Sequence, residues 1–212
     1  MSNAPLVERM LNAAMDRSDE TLRAAADNML ELGIPAEVIV DDIIPKTART
    51  MGEEWVQDIS SFASVTLGAS RLQTLVRELA AKWSADNAAS ARSAVLLWVP
   101  QAAQHTLGAT VVSTQLRRRG HSVQFSPGGG LPEFSRALTE GNYDGVIISA
   151  SMSDSTDEVR NVVDAAKAHQ SDLPVIIGGT ILKQHDDLPR LTGADFATND
   201  LDKATAAFSA AR

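Results

Sequence analysis

The chain of 212 residues contains no cysteine. That absence removes disulfides, thiolate nucleophiles, thiolate zinc sites and iron–sulfur clusters held by cysteine, and it accords with a reducing cytoplasm. Positive charge is also scarce: 19 Lys and Arg against 27 Asp and Glu leave a formal charge of −8. Affinity for a phosphate backbone depends on clustered Lys and Arg that release counterions. Direct nucleic-acid binding is therefore not expected, and any role in transcription would be indirect. No apolar run approaches a membrane span, and no basic segment followed by an apolar one opens the chain. The expectation is a soluble, untargeted, cytoplasmic protein with no membrane partner.

What is present is a hydrophobic content of 44%. That suits one larger domain or two small ones and allows burial of about 70% of the unfolded surface. The first part reads helical. LVERMLNAAM places apolar residues at three-to-four spacing, and RSDE marks a break. Ser18 is an N-cap for ETLRAAADNMLELG, Gly33 suits a left-handed C-terminal cap, and Pro35 fits the first turn of the next helix. The third helix carries AEVIVDDIIPKTARTMGEEWV, with a kink or stop expected at Pro45, and a fourth runs through SFASVTLGASRLQTLVRELAAKW. These make a four-helix bundle over residues 5–86.

The small polar stretch SADNAASARS is the expected boundary, and from residue 93 to 212 the pattern changes. AVLLWV, HSVQF, DGVIISA, LPVIIGG and ADFAT are short runs, most of them rich in Val and Ile, separated by segments of helical length. Buried parallel strands with crossover helices on both faces look like this. The expected fold is α/β: a helical cap followed by a doubly wound, five-stranded parallel sheet in the flavodoxin-like order. In such sheets a ligand sits beyond the carboxyl ends of the strands, where strand order reverses. The loops expected there read PQAAQHTLGA, SPGGGLP, SMSDS and GGT.

Small residues dominate these loops, so backbone can approach a bulky ligand. No G-x-S-x-G elbow supports a hydrolase built on Ser149 or Ser151 with His105, and GGGLP, ended by Pro132 after the second strand, is no dinucleotide fingerprint. GGGLP and IIGGT each read either as a plain connection or as ligand contact. His105 lies in the first strand-to-helix loop just before Gly108, where it is either a loop histidine or a ligand presenting one ring nitrogen to a metal under a planar macrocycle. His121, His169 and His185 read as surface or loop residues. Arg117 to Arg119 read as a solvated helix end, with contact to an acidic partner as the alternative.

A helical bundle followed by an α/β domain, with H-x-x-G after the first strand, serine after the third and G-G after the fourth, resembles the cobalamin-binding modules. Their pattern is D-x-H-x-x-G, S-x-L and G-G. The resemblance implies that His105 ligates cobalt from below, and that Gly108, Ser149, Ser151, Gly178 and Gly179 line a channel for the displaced nucleotide tail. Two departures stand out. Ala103 replaces the Asp that orients the histidine, which argues against methyl transfer, and S-x-L reads Ser149-Ala150-Ser151. QHTLGA (Gln104 to Ala109), QLRRRG (Gln115 to Gly120) and W-x-x-D-x-x-S-F-A-x-V-T-x-G-x-x-R-L-Q (Trp55 to Gln73) are closer to the AerR/PpaA-type antirepressors and the related SCHIC domains, named as sensors with heme instead of cobalamin.

That likeness covers nearly the whole chain. It implies a tetrapyrrole site formed by Gln104, His105, Thr106, Gly108, Ser149, Ser151, Gly178, Gly179 and Trp55, with cobalamin as cofactor and heme as the alternative. It implies a non-enzymatic sensor of light, oxygen or redox state that relieves a repressor of photosynthesis genes through protein contact; homodimerisation stays open. The helical half is expected to close the upper face of the macrocycle, with Trp55 either a lid or bundle core, and Phe62 and Leu67 packing the bundle. A corrinoid carrier for a methyltransferase and a ligand-free interaction module of the same fold are the alternatives.

Overall fold

The computed structural model describes residues 3–16, 18–83, 92–100 and 106–209. The chain divides into two compact units, Met1–Trp83 and Ser84–Arg212.

The first unit is a helical bundle of α1 (Ala4–Met15), α2 (Asp19–Glu31), α3 (Ala36–Val38), α4 (Ile44–Val56) and α5 (Phe62–Ala80). Its ends are set by side chains and glycine. The Ser18 hydroxyl accepts from the Glu20 amide at the start of α2. Gly33, at φ +81°, ends the helix: its amide donates to Leu30 O and that of Ile34 to Met29 O, which satisfies carbonyls the helix leaves open. Pro35 stands one position earlier than expected, as the N-cap of α3.

Pro45 does not stop the chain. A π-turn, Ile39–Ile43, joins α3 to α4, and the Ile44 amide reaches back to Ile39 O, so the wider turn absorbs the donor that Pro45 lacks. Met10, Leu22, Met29, Ile43, Ile44, Met51, Leu72 and Val76 form the bundle core, each almost fully buried.

The second unit alternates strand and helix: β1 (Ala94–Pro100), α6 (Leu107–Arg118), β2 (Ser122–Gly129), α7 (Leu131–Glu140), β3 (Gly145–Ser149), α8 (Thr156–His169), β4 (Val175–Gly178), α9 (Leu188–Thr192), β5 (Phe196–Ala197) and α10 (Leu201–Ser209). All strand pairs are parallel, in the order β2-β1-β3-β4-β5. Alternating side chains feed two cores. Leu96, Trp98, Val146, Ile148, Val175 and Ile177 meet α7, α8 and α9 on one face. Val95, Leu97, Val99, Ile147 and Ile176 meet α6 and α10 on the other. Strands buried on both faces need continuous apolar runs, which is why this half reads as it does.

Two strands differ from expectation. β2 does not end at Phe125; it continues beside β1 through Ser126, Pro127 and Gly129, so much of the expected SPGGGLP loop is strand. Pro127 is tolerated because β2 is an edge strand, and the register slips between Val99 and Pro100 where the extra residue, Gly128, adopts φ +74°. At the opposite edge, β5 is confined to two residues. Among the described residues no helix is long and apolar enough to cross a membrane.

Candidate functional site

The strand order reverses at β1, whose neighbours are β2 on one side and β3 on the other. A crevice opens beyond the carboxyl ends of strands at such a reversal. The chain leaving β1 carries Ala103, Gln104 and His105, which lie outside the described residues. Thr106 is half-buried as the N-cap of α6, and its carbonyl accepts from the Thr110 amide. Gly108 is exposed in the first turn of α6, and a Cβ placed on it would meet nothing within 4 Å. A helical glycine destabilises by about 1 kcal/mol relative to alanine. Among the described residues no contact accounts for Gly108.

Across the crevice, Ser149 ends β3 opposite Gly178 of β4. Its hydroxyl makes no hydrogen bond to any described residue, and the side chain is only partly buried. The following turn is tied down tightly. The Ser151 amide donates to Asp154 Oδ2 (2.6 Å), the Ser151 hydroxyl donates to the same oxygen (3.0 Å), and the Ser153 hydroxyl lies 2.8 Å from Ser151 Oγ. Because Ser151 has a single hydroxyl proton and gives it to Asp154, Ser153 is the donor in the second contact. The Met152 amide donates to Thr180 Oγ1 (3.1 Å), fastening the turn to the segment after β4.

Gly178 and Gly179 have internal reasons. Gly179 takes φ +106°, and a Cβ there would overlap the Ala150 carbonyl; on Gly178 it would stand 3.2 Å from Thr198 O. The Asn199 side chain grips Gly179 from both sides, accepting from its amide (2.7 Å) and donating to its carbonyl (3.3 Å). These glycines let three loops close on one another. Asp154, Thr180 and Asn199 escaped the sequence reading. Ser-x-x-Asp in SMSD, and Asn-Asp just before α10, are the spacings by which such side-chain-to-backbone braces can be found.

The rim carries exposed apolar side chains, Leu131 after β2 and Met152 after β3. Open space at Gly108, an unengaged hydroxyl at Ser149 and apolar groups on both flanks of β1 fit a large, partly apolar ring system with a polar tail.

In the helical unit, the Trp55-to-Gln73 motif separates into two sets. Asp58, at φ +57°, closes α4: its amide bonds Trp55 O, and that of Ile59 bonds Glu54 O. Ser61 caps α5 by accepting from the Ser64 amide. Gly68 admits the Met51 side chain and the Ala14 carbonyl, Arg71 pairs with Asp19 (2.8 Å) and bonds Asp16 O, and Leu72 is fully buried. Those positions build the bundle.

The other set is exposed. Trp55 is 45% accessible, which excludes the bundle-core reading, and its ring lies 5.8 Å from that of Phe62. Phe62 and Leu67, expected to pack the bundle, are 54% and 52% accessible instead. The core side of α5 is filled by Gly68, Leu72, Leu75, Val76 and Ala80. With Val56 and Ile59, Phe62 and Leu67 add to the exposed apolar side chains of this unit.

His121 is a second correction. It is buried, its Nδ1 lies 2.7 Å from Ser93 Oγ, and its ring meets Phe208 edge-on at 6.5 Å. Burial, and then the charges of Arg92 and Arg119, hold its pKa below the ordinary histidine value. The basic run also turns inward: Arg117 donates to Val123 O (3.0 Å), and Arg119 pairs with Asp202 (3.2 Å). His169 is exposed at the end of α8, as expected.

The B12 binding domain family model matches residues 94–207. An uncharacterized 20.5 kDa protein in the bchF-crtJ intergenic region of Rhodobacter capsulatus is 37% identical over 178 residues, covering 83% of this chain and 93% of that protein. In fold, the chain is similar to the monomethylamine corrinoid protein of Methanosarcina barkeri, with a TM-score of 0.78 and 14% identity over 99% of this chain and 100% of that one. It is also similar to a cobalamin-binding protein of Desulfitobacterium hafniense DCB-2, with a TM-score of 0.50 and 18% identity over 97% and 98% of the two chains.

Proposed function

This chain belongs to the B12-binding domain family, and from that premise we propose that it binds a corrinoid and acts as a non-enzymatic sensor that relieves a repressor of photosynthesis genes. The observation that carries the binding half is the coincidence of three things at one sheet edge. The reversal point at β1, the room at Gly108 and the Ser149 hydroxyl, both unoccupied by any described residue, all lie where the H-x-x-G and serine positions of the family pattern fall.

In this reading His105 would hold the metal. Thr106 and Gly108 would shape the start of α6 on the ligand side, Ser149 would address the nucleotide tail, and Leu131 and Met152 would offer the ring apolar contact. When bound, the corrinoid would supply a light-absorbing, redox-responsive metal centre. Ala103 leaves His105 without the carboxylate partner that raises ligand basicity in the family pattern, which favours sensing over methyl transfer. Heme is the alternative cofactor.

The chain's net charge of −8 supports action through a protein partner rather than on DNA. The Rhodobacter relative's position between bchF and crtJ supports a link to the genes of that region. A ligand shifts an equilibrium only by its differential affinity for two states, so the signal must appear as a change in partner affinity. The test is operator binding by a photosynthesis-gene repressor from the same organism, with corrinoid-loaded protein added in darkness and after illumination. Relief of repression in one condition only is expected. Equal operator occupancy in both conditions and without the protein would refute the antirepressor role.

A further inference from the structure

The turn after β3 contains a carboxylate that the family pattern does not call for. Asp154 is 5% accessible, and its Oδ2 holds both the amide and the hydroxyl of Ser151, while Oδ1 has no hydrogen-bond partner among the described residues. A buried carboxylate with one unsatisfied oxygen is destabilising on its own, so its retention asks for a compensating role. The position it grips is the one where the S-x-L pattern has leucine and this chain has Ser151.

Ser151 gives its only hydroxyl proton to Asp154 and receives one from Ser153, so it has no donor left for a ligand. Ser149, two residues earlier, has its hydroxyl unengaged by any described residue, and the turn is pinned on either side of Ser151 by the Ala150 amide on Gly178 O (2.9 Å) and the Met152 amide on Thr180 Oγ1.

We propose that Asp154 is a positioning residue for the corrinoid's nucleotide tail: by bracing Ser151 it fixes the turn that presents Ser149 to that tail. This rests on the corrinoid reading above. The brace takes the place of the missing leucine, which would hold the turn by apolar packing. It divides the two serines of Ser149-Ala150-Ser151 into one that meets the ligand and one that shapes the loop.

The experiment compares hydroxocobalamin with aquocobinamide, which lacks the nucleotide tail, on full-length protein carrying Asp154→Ala, Asp154→Asn or neither change. Wild type is expected to prefer cobalamin. Asp154→Ala should lower cobalamin affinity about tenfold, the equivalent of one charged hydrogen bond, with cobinamide affinity unchanged. Asp154→Asn should keep the preference, because its amide oxygen accepts the same two bonds. In ligand-free protein, hydrogen exchange at the Ser151 amide should speed up in Asp154→Ala and not in Asp154→Asn.

Should Asp154→Ala not fold, Ser151→Ala serves instead, removing the hydroxyl half of the brace and giving a smaller loss of preference. The inference is overturned if wild type does not distinguish the two ligands, if the preference survives Asp154→Ala (or, in its place, Ser151→Ala), or if both ligands weaken equally. Binding of neither ligand to wild type would overturn it together with the corrinoid reading, whereas the other outcomes leave that reading standing.

Discussion

Gly129 lies so close to Trp98 that a Cβ on the glycine would overlap the six-membered ring of the indole. The ring cannot yield, because Trp98 is fully buried and packed edge-on against Phe134 with centroids 4.9 Å apart. Gly129→Ala is therefore expected to destabilise the α/β unit by about 1–3 kcal/mol through overpacking. Denaturant unfolding followed by intrinsic fluorescence measures it, and unchanged stability would contradict the packing.

Gly108 is expected to behave in the opposite way. It sits in α6 with open space where a Cβ would be, so Gly108→Ala should leave stability unchanged or raise it by up to about 1 kcal/mol. In the corrinoid reading the same change should weaken binding, because the added methyl takes up space that this reading gives to the ligand. Thermal melts paired with spectral titration check this; undiminished binding would remove Gly108 from the site.

The two sets of positions in the Trp55-to-Gln73 motif should separate in thermal melts. Leu72→Ala removes a fully buried side chain and should cost about 2–5 kcal/mol. Trp55→Ala loses an exposed ring and one aromatic contact, so its stability change should stay within about 1 kcal/mol. A Trp55→Ala protein as unstable as Leu72→Ala would contradict the exposed position of the ring.

His121 predicts a pH dependence. Its folded pKa is lowered, by burial first and then by Arg92 and Arg119, so the unfolded chain binds a proton more readily than the native one. Stability therefore rises with pH between the lowered folded value and the ordinary value of 6.5, and is lost as pH falls through that window. Asp42 and Glu78, held low chiefly by hydrogen bonds from Lys46 and Arg23, act only at more acidic pH. Urea unfolding at pH 7 and pH 5.5 should show a loss in wild type that is smaller in His121→Gln; equal losses would contradict it.

Much of the architecture was legible because burial on two faces demands apolar runs. Gly145–Ser149 and Val175–Gly178 could be read as buried strands and Gly33 as a helix end, because their local chemistry agrees with their tertiary role. The extension of β2 was not legible: Pro127 and three following glycines are turn chemistry locally, and only the edge position and Trp98 make them strand. His121 follows a basic run and a glycine, and its burial comes from Ser93 and Phe208, 28 and 87 positions away. At the candidate site, motif spacing pointed to Ser149, Gly178 and Gly179. The Asp154 brace has a local signal, Ser-x-x-Asp in one turn, whereas the partner of Asn199 depends on how the turns after β4 and β5 meet.

Ligation of a corrinoid by His105 underlies the proposed function. Visible spectra recorded while apo protein is titrated with hydroxocobalamin, and separately with hemin, probe that bond in wild type and in His105→Ala. A saturable shift with hydroxocobalamin, lost in His105→Ala, is expected. A shift that survives His105→Ala, or no shift with hydroxocobalamin in wild type, would contradict it.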